Sequence, residues 1–159
     1  MTHHKPRPDS PSPTVTLVVR KTIQATAERL FEAWTQPAQL KKWWGPQSVV
    51  CVDAEIDLRV GGRYRIANQF PDGKLVWIAG EFETIEPPHK LVYTWRLEPE
   101  AGASERVTVA FEPRGDATEV IVTHERISNV AIRDMHEQGW QGCLDGLAEY
   151  LKDSQPDSA

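Results

Sequence analysis

Two side chains in this 159-residue sequence have the makings of a nucleophile and its base, Cys143 and His136. Both fall in the longest helical pattern, residues 129–151 (NVAIRDMHEQGWQGCLDGLAEYL). A Cys–His pair must approach within about 3 Å. Seven residues of helix rise about 10.5 Å, so a direct dyad is excluded and Cys143 reads as a small buried hydrophobe. His136 has two readings of equal weight: a polar group lining a pocket mouth, or a core histidine bonded to a carbonyl. The sequence places no carboxylate beside it, so acid–base catalysis ranks below both. Gly139 and Trp140 follow on the same side. A glycine inside a helix costs about 1 kcal/mol relative to alanine, so this half of the helix reads as shaped to leave room for something. Leu144, Leu147, Ala148 and Leu151 form a plain apolar stripe instead.

The remaining chemical motifs read as structural. Asp53, Glu55 and Asp57 alternate with apolar residues and so face water, without the convergent ligands that a metal needs. His124 ends a strand and reads as structural. Gly61-Gly62 lacks the downstream helix and Lys-Ser/Thr of a phosphate loop. His3 and His4 lie in a Pro- and Ser-rich stretch with no further ligands at useful spacing. No metal site and no cofactor are expected.

The elements that must position these residues follow from periodicity. Residues 14–22 are β-branched and predict a strand. Residues 27–34 predict a short helix with Thr26 as its cap, and Pro37 opens a second through Lys42. Residues 52–60 alternate strictly, which predicts Val52, Ala54, Ile56, Leu58 and Val60 on one buried face. Strands follow at 63–70, 75–85, 91–97, 106–111 and 118–123, separated by Gly- and Pro-rich turns. Gly80 marks a bulge or a close approach. Trp77 and Phe82 have opposite parity, so both point inward only if a bulge lies near Gly80. The fold class is α+β: a curved antiparallel sheet of about seven strands, in the order β-α-α-β6-α, wrapped around the long C-terminal helix. Residues 14–152 read as one domain, with disordered tails at 1–13 and 153–159.

Composition narrows the function. The net charge is −5 with no Lys/Arg cluster, which argues against nucleic acid and against anionic membranes as partners. The first 14 residues lack the apolar core of a secretory signal, and no apolar run spans a bilayer, so the cytoplasm is expected. The two cysteines, Cys51 and Cys143, then read as separate thiols.

RLFEAWTQPAQLKKWWGP at 29–46, VGGRYR at 60–65, PDG at 71–73 and GEFETIEPPHKLVYTW at 80–95 form an ordered set with THE at 123–125 and HEQGWQGCLDGLAEYL at 136–151. With this element order, the chain from Thr14 onward resembles the START-like or SRPBCC superfamily, the helix-grip fold. Within it the chain resembles the branch related to the C-terminal domain of the activator of heat-shock-protein-90 ATPase. That branch often has an acidic residue where this chain has Gln36. The eukaryotic co-chaperone also carries a separate N-terminal domain for which these residues leave no room. The resemblance therefore implies the fold first. It also implies a cavity for a small hydrophobic, lipid- or polyketide-like molecule. Some relatives act on such molecules, but this chain shows no acid–base pair, so binding without catalysis is expected.

The candidate lining comes from several elements. The strands contribute Tyr64, Ile66, Asn68, Trp77 and Phe82, then Trp95, Val109 and Phe111. The helix contributes His136, Gly139, Trp140 and Cys143, with His136 and Asn68 or Tyr64 as polar anchors. An empty pocket of ~300 Å³ would forgo ~7 kcal/mol of packing, so a retained cavity is either small or used. The alternative is a protein-interaction module, a regulator of a chaperone ATPase with exposed Trp43 or Trp44 as anchors. An enzyme of cyclase or hydrolase type ranks last.

Overall fold

Residues 14–45, 49–98 and 104–154 are described by a computed structural model of the chain. Of the stretches expected to be disordered, 1–13 and 155–159 lie outside the described residues, whereas 153–154 continue the last helix. Strand β1 (Val15–Ile23) leads into helices α1 (Ala27–Thr35) and α2 (Pro37–Trp43). Six strands follow: β2 (Val50–Ile56), β3 (Arg63–Gln69), β4 (Leu75–Glu86), β5 (Lys90–Glu98), β6 (Glu105–Arg114) and β7 (Ala117–Ile127). Helix α3 (Val130–Ser154) closes the order. The predicted class and element order hold: one antiparallel sheet, β1-β7-β6-β5-β4-β3-β2, curves around α3.

Local chemistry sets the helix ends. The Thr26 hydroxyl accepts from the Arg29 amide at 3.1 Å, capping α1 as expected. Gln36 gives α2 no side-chain cap, and Pro37 starts that helix by its fixed φ alone. Asn129 Oδ1 accepts from the Ile132 amide at 2.9 Å and opens α3.

Strand β2 corrects the predicted alternation. Pairing with β3 shifts register between Cys51 and Asp53. One extra residue turns Cys51 inward and leaves Val52 on the surface. The strand ends at Ile56, so Leu58 and Val60 are exposed in the turn that follows. Asp53, Glu55 and Asp57 are exposed, as their alternation implied.

The core lies between the sheet and the three helices. Val107, Val109 and Phe111 of β6 and Val120 and Val122 of β7 are fully or almost fully buried against Leu144, Leu147 and Leu151 of α3. Trp34 of α1 sits at the centre of an aromatic cluster, with ring centroids 4.9 Å from Trp43, 5.9 Å from Phe111 and 6.1 Å from Trp140. Trp43 and Trp44 are buried, not exposed as the interaction-module reading required. The sharp corner at the end of α2 folds both rings inward, where Trp43 Nε1 donates to Ala33 O and Trp44 Nε1 donates to Asn68 Oδ1. Gly146 lets α2 touch α3: a Cβ there would lie 2.7 Å from the Trp43 carbonyl oxygen.

Candidate functional site

Sheet and helix part company at one end. The C-terminal half of α3 is packed down, whereas the half around Met135, His136, Gly139 and Trp140 stands off β3, β4 and β5. Between them lies a cleft of about 350 Å³. Its floor is apolar, from Val76 and Ile78 of β4 and Trp95 and Leu97 of β5. Phe70 and Met135, both exposed, border it. An added Cβ at Gly139 would meet nothing within 4 Å, so this glycine opens directly onto free space. Deeper inside, between Trp34, Tyr64, Phe82 and Tyr93, only about 20 Å³ is free, roughly the room for one water. The large space is open to solvent and the interior is filled.

The residues singled out from the sequence are divided among these places. Asn68, Trp95, His136, Gly139, Trp140 and Cys143 share the cleft. Tyr64, Ile66 and Phe82 border the small interior space. Val109 and Phe111 are solid core. Trp77 lies on the other face of the sheet, its ring under the Arg65 guanidinium at 4.0 Å. Strand β4 keeps its alternation from Trp77 through Phe82, and its register shift comes only after Phe82, so the two rings point opposite ways. Gly80 is the close approach instead: a Cβ there would fall 1.9 Å from Thr94 O.

A polar cluster stands behind the cleft wall. Glu105 begins β6, and His124 lies near the end of β7 with no exposed surface. Both share parity with the buried valines of their strands, so both point inward. His124 Nε2 is 2.6 Å from Glu105 Oε1, and Trp140 Nε1 donates to His124 Nδ1 at 3.0 Å. An indole N–H can only donate. Nδ1 of His124 is therefore bare, Nε2 carries the proton, and that proton goes to Glu105. His136 stacks on His124, with centroids 4.6 Å apart, and Trp95 sets its edge against both rings. His136 Nε2 lies 3.3 Å from the same Glu105 oxygen but off the hydrogen-bond direction, so it is buried without an aligned partner. The Trp95 indole N–H is likewise buried and unpaired, which costs about 1–3 kcal/mol until an acceptor is supplied.

Sequence reasoning missed Glu105, the carboxylate beside His136, because the strand was ended one residue too late at its start. Carrying the alternation of Val107, Val109 and Phe111 back by two would have found it.

The cluster's titration follows from these contacts. Burial alone would raise the Glu105 carboxyl, but the hydrogen bond from His124 and the close approach of the His136 ring outweigh it and hold the group down at about 2. Burial lowers the His124 imidazole below its ordinary value. Burial pushes the Cys143 thiol up to about 12, so it is no nucleophile at neutral pH. Glu105, His124 and His136 bring one ligand atom each within 4.8 Å of one another, a spacing that would suit a metal. The donor set does not fit one: a cation on His124 Nε2 would displace the proton held there while Trp140 keeps Nδ1 from carrying it.

Both depressed groups bind protons more readily in the unfolded chain, so stability is full at neutral pH and falls with acid. His124 contributes to the loss as pH drops through ~6.5, and Glu105 as it drops from the ordinary carboxylate range towards 2. Because Glu105 is partly screened by solvent, its share is about 1–2 kcal/mol. Urea unfolding followed by tryptophan fluorescence between pH 7 and pH 3 measures this, and Glu105→Gln is expected to flatten the lower part of the curve. An identical acid slope in the variant contradicts the assignment.

Comparison with known proteins places these features. A family model described as Activator of Hsp90 ATPase homolog 1-like protein matches residues 24–152. A solved structure of a protein from Chromobacterium violaceum is 26% identical over 89% of this chain and 98% of its own, with a TM-score of 0.80. Two others share the fold. An AHSA1 protein from Silicibacter pomeroyi is 24% identical over 89% of this chain and all (100%) of its own, TM-score 0.79. An AHSA1-like protein from Aeromonas hydrophila is 22% identical over 91% and 97%, TM-score 0.75. None of the curated proteins compared with the sequence matches it.

Proposed function

Because the chain belongs to the Activator of Hsp90 ATPase homolog 1-like family, we propose that it is a non-enzymatic member that binds a small, largely apolar molecule between the sheet and the N-terminal half of α3. The observation that carries this reading is the cleft of about 350 Å³ with Gly139 opening onto it. Its size suits a small organic ligand, and its floor is aliphatic and aromatic. Between Trp34, Tyr64, Phe82 and Tyr93 only about 20 Å³ is free, so that part of the interior has no room for such a molecule. The Cys143 thiol offers no nucleophile. Among the described residues no helix is long and apolar enough to cross a membrane, which agrees with a protein that acts in the cytoplasm.

The test is a substitution that fills the cleft without touching the core. Gly139→Leu projects a side chain into the open space, and it also removes a helix-weakening glycine. Binding of an environment-sensitive apolar dye, read by fluorescence and by thermal shift, is expected to drop by at least about tenfold, the equivalent of about 1.4 kcal/mol. The melting temperature without dye is expected to hold or rise. Unchanged dye affinity in this variant overturns the reading.

The family description leaves regulation of a chaperone ATPase as the second reading. Its anchors have to lie elsewhere than Trp43 and Trp44, which are both buried.

A further inference from the structure

The side chains around the cleft are one-sided in their polarity. Among the described residues that line it there is no carboxylate. Asn68 Oδ1 accepts from Trp44 Nε1, and its NH2 group remains to donate. Lys74 lines the cleft as an ammonium and makes no ion pair among the described residues. Trp95, also on the wall, has a buried N–H with no acceptor. His136 turns Nε2 towards Glu105, which stands behind the ring, and its Nδ1 makes no hydrogen bond among the described residues. The Trp44 and Trp140 indoles spend their N–H groups on Asn68 and His124. Among the described side chains, the cleft therefore has donors and a positive charge to spare and no negative charge.

We propose that the ligand is an apolar molecule with a carboxylate head, seated with the head at His136 and the apolar body along Val76, Ile78 and Leu97. This rests on the reading of the cleft as a ligand site. A head oxygen accepts from an N–H at His136 Nδ1, while Nε2 is the nitrogen that faces Glu105. Glu105 is then a positioning residue: it lies on the Nε2 side of the ring, so Nδ1 is the nitrogen left to face the ligand. Its own charge is kept off the cleft by His136 and His124, the latter held neutral by Trp140. Lys74 adds a positive field at the exposed edge. A neutral head would satisfy fewer of these donors. A cationic head would meet Lys74 and find no carboxylate among the described residues of the wall.

Decanoate, decanol and decylamine separate the possibilities, because they share a chain and differ only in the head. Each is titrated below its aggregation concentration into the wild-type chain, His136→Gln, Lys74→Gln and Gly139→Leu, with calorimetry as the readout and circular dichroism as the check on folding. Decanoate is expected to bind about tenfold more tightly than decanol, and decylamine no more tightly than decanol. His136→Gln and Lys74→Gln are each expected to lose most of the decanoate advantage and leave decanol within about twofold. Lys74 is exposed, so that variant reports even if His136→Gln folds poorly. Equal affinity for decanoate and decanol, or decylamine binding tightest, overturns the carboxylate head while the cleft reading survives on the loss of decanol binding in Gly139→Leu. If none of the three binds the wild-type chain, both inferences fall together.

Discussion

Gly80→Ala is expected to lower stability by about 3 kcal/mol or more, a fall in melting temperature of roughly 6–12 °C for a domain of this size. One methyl group has this effect because of where it must go. Its carbon would sit 1.9 Å from the Thr94 carbonyl oxygen and 2.8 Å from the Tyr64 ring. The Thr94 oxygen is backbone in the neighbouring strand and cannot swing aside as a flexible side chain would. It also accepts the Tyr64 hydroxyl at 2.7 Å, and the Thr94 hydroxyl accepts from the Glu81 amide at 2.9 Å. Relief of the clash therefore breaks local bonds, and the Tyr64 hydroxyl is left in a buried site. Gly139→Ala is the control. Its Cβ meets nothing, and helix propensity alone predicts a gain of up to about 1 kcal/mol. Thermal and urea unfolding of the two variants decide the matter. Equal behaviour of the two would contradict the strand packing described above.

Trp34→Ala is expected to cost about 3–5 kcal/mol, a large part of the 5–15 kcal/mol typical of a folded domain. Trp34 touches Trp43, Trp44, Phe111 and Trp140, so it joins α1, the corner after α2, the sheet and α3. Removal of the ring leaves a void beside the small interior space, and neighbours that belong to three other elements cannot all collapse into it. Trp77→Ala provides the contrast. It loses a cation–π contact with Arg65 on the outer face, worth about 0.5–1 kcal/mol. A shift of the urea midpoint in Trp34→Ala no larger than in Trp77→Ala would show that the aromatic cluster does not hold the helices to the sheet.

These two tryptophans also mark how far the sequence reaches. Both sit among apolar residues, and nothing local ranks one above the other. Strand parity separated Trp77 from Phe82 but left open whether a bulge at Gly80 would bring both inside. The register of β4 on β5 answered that: the alternation runs unbroken to Phe82. In β2 the reverse happened. A clean alternation predicted five inward residues, and one shift of register after Cys51 put Val52 outside. Trp43 and Trp44 show the same limit, because a Trp-Trp pair before Gly-Pro does not reveal which way the corner turns.

What the sequence determined by itself is the order and kind of the elements: a strand, two short helices, six strands and one long helix with a divided face. Periods of 2.0 and 3.6 are local properties of the backbone, so they survive without knowledge of any neighbour. The end of α3 with room beside it was legible for the same reason, from a glycine next to a tryptophan one turn after a histidine. Tertiary structure alone decided what stands around that room. Glu105, His124, His136 and Trp140 come from two strands and a helix, and they meet only through the pairing of β6 with β7 and the angle at which α3 crosses the sheet. Such contacts depend on register and curvature, which are set by the sum of many weak packing terms across the whole core.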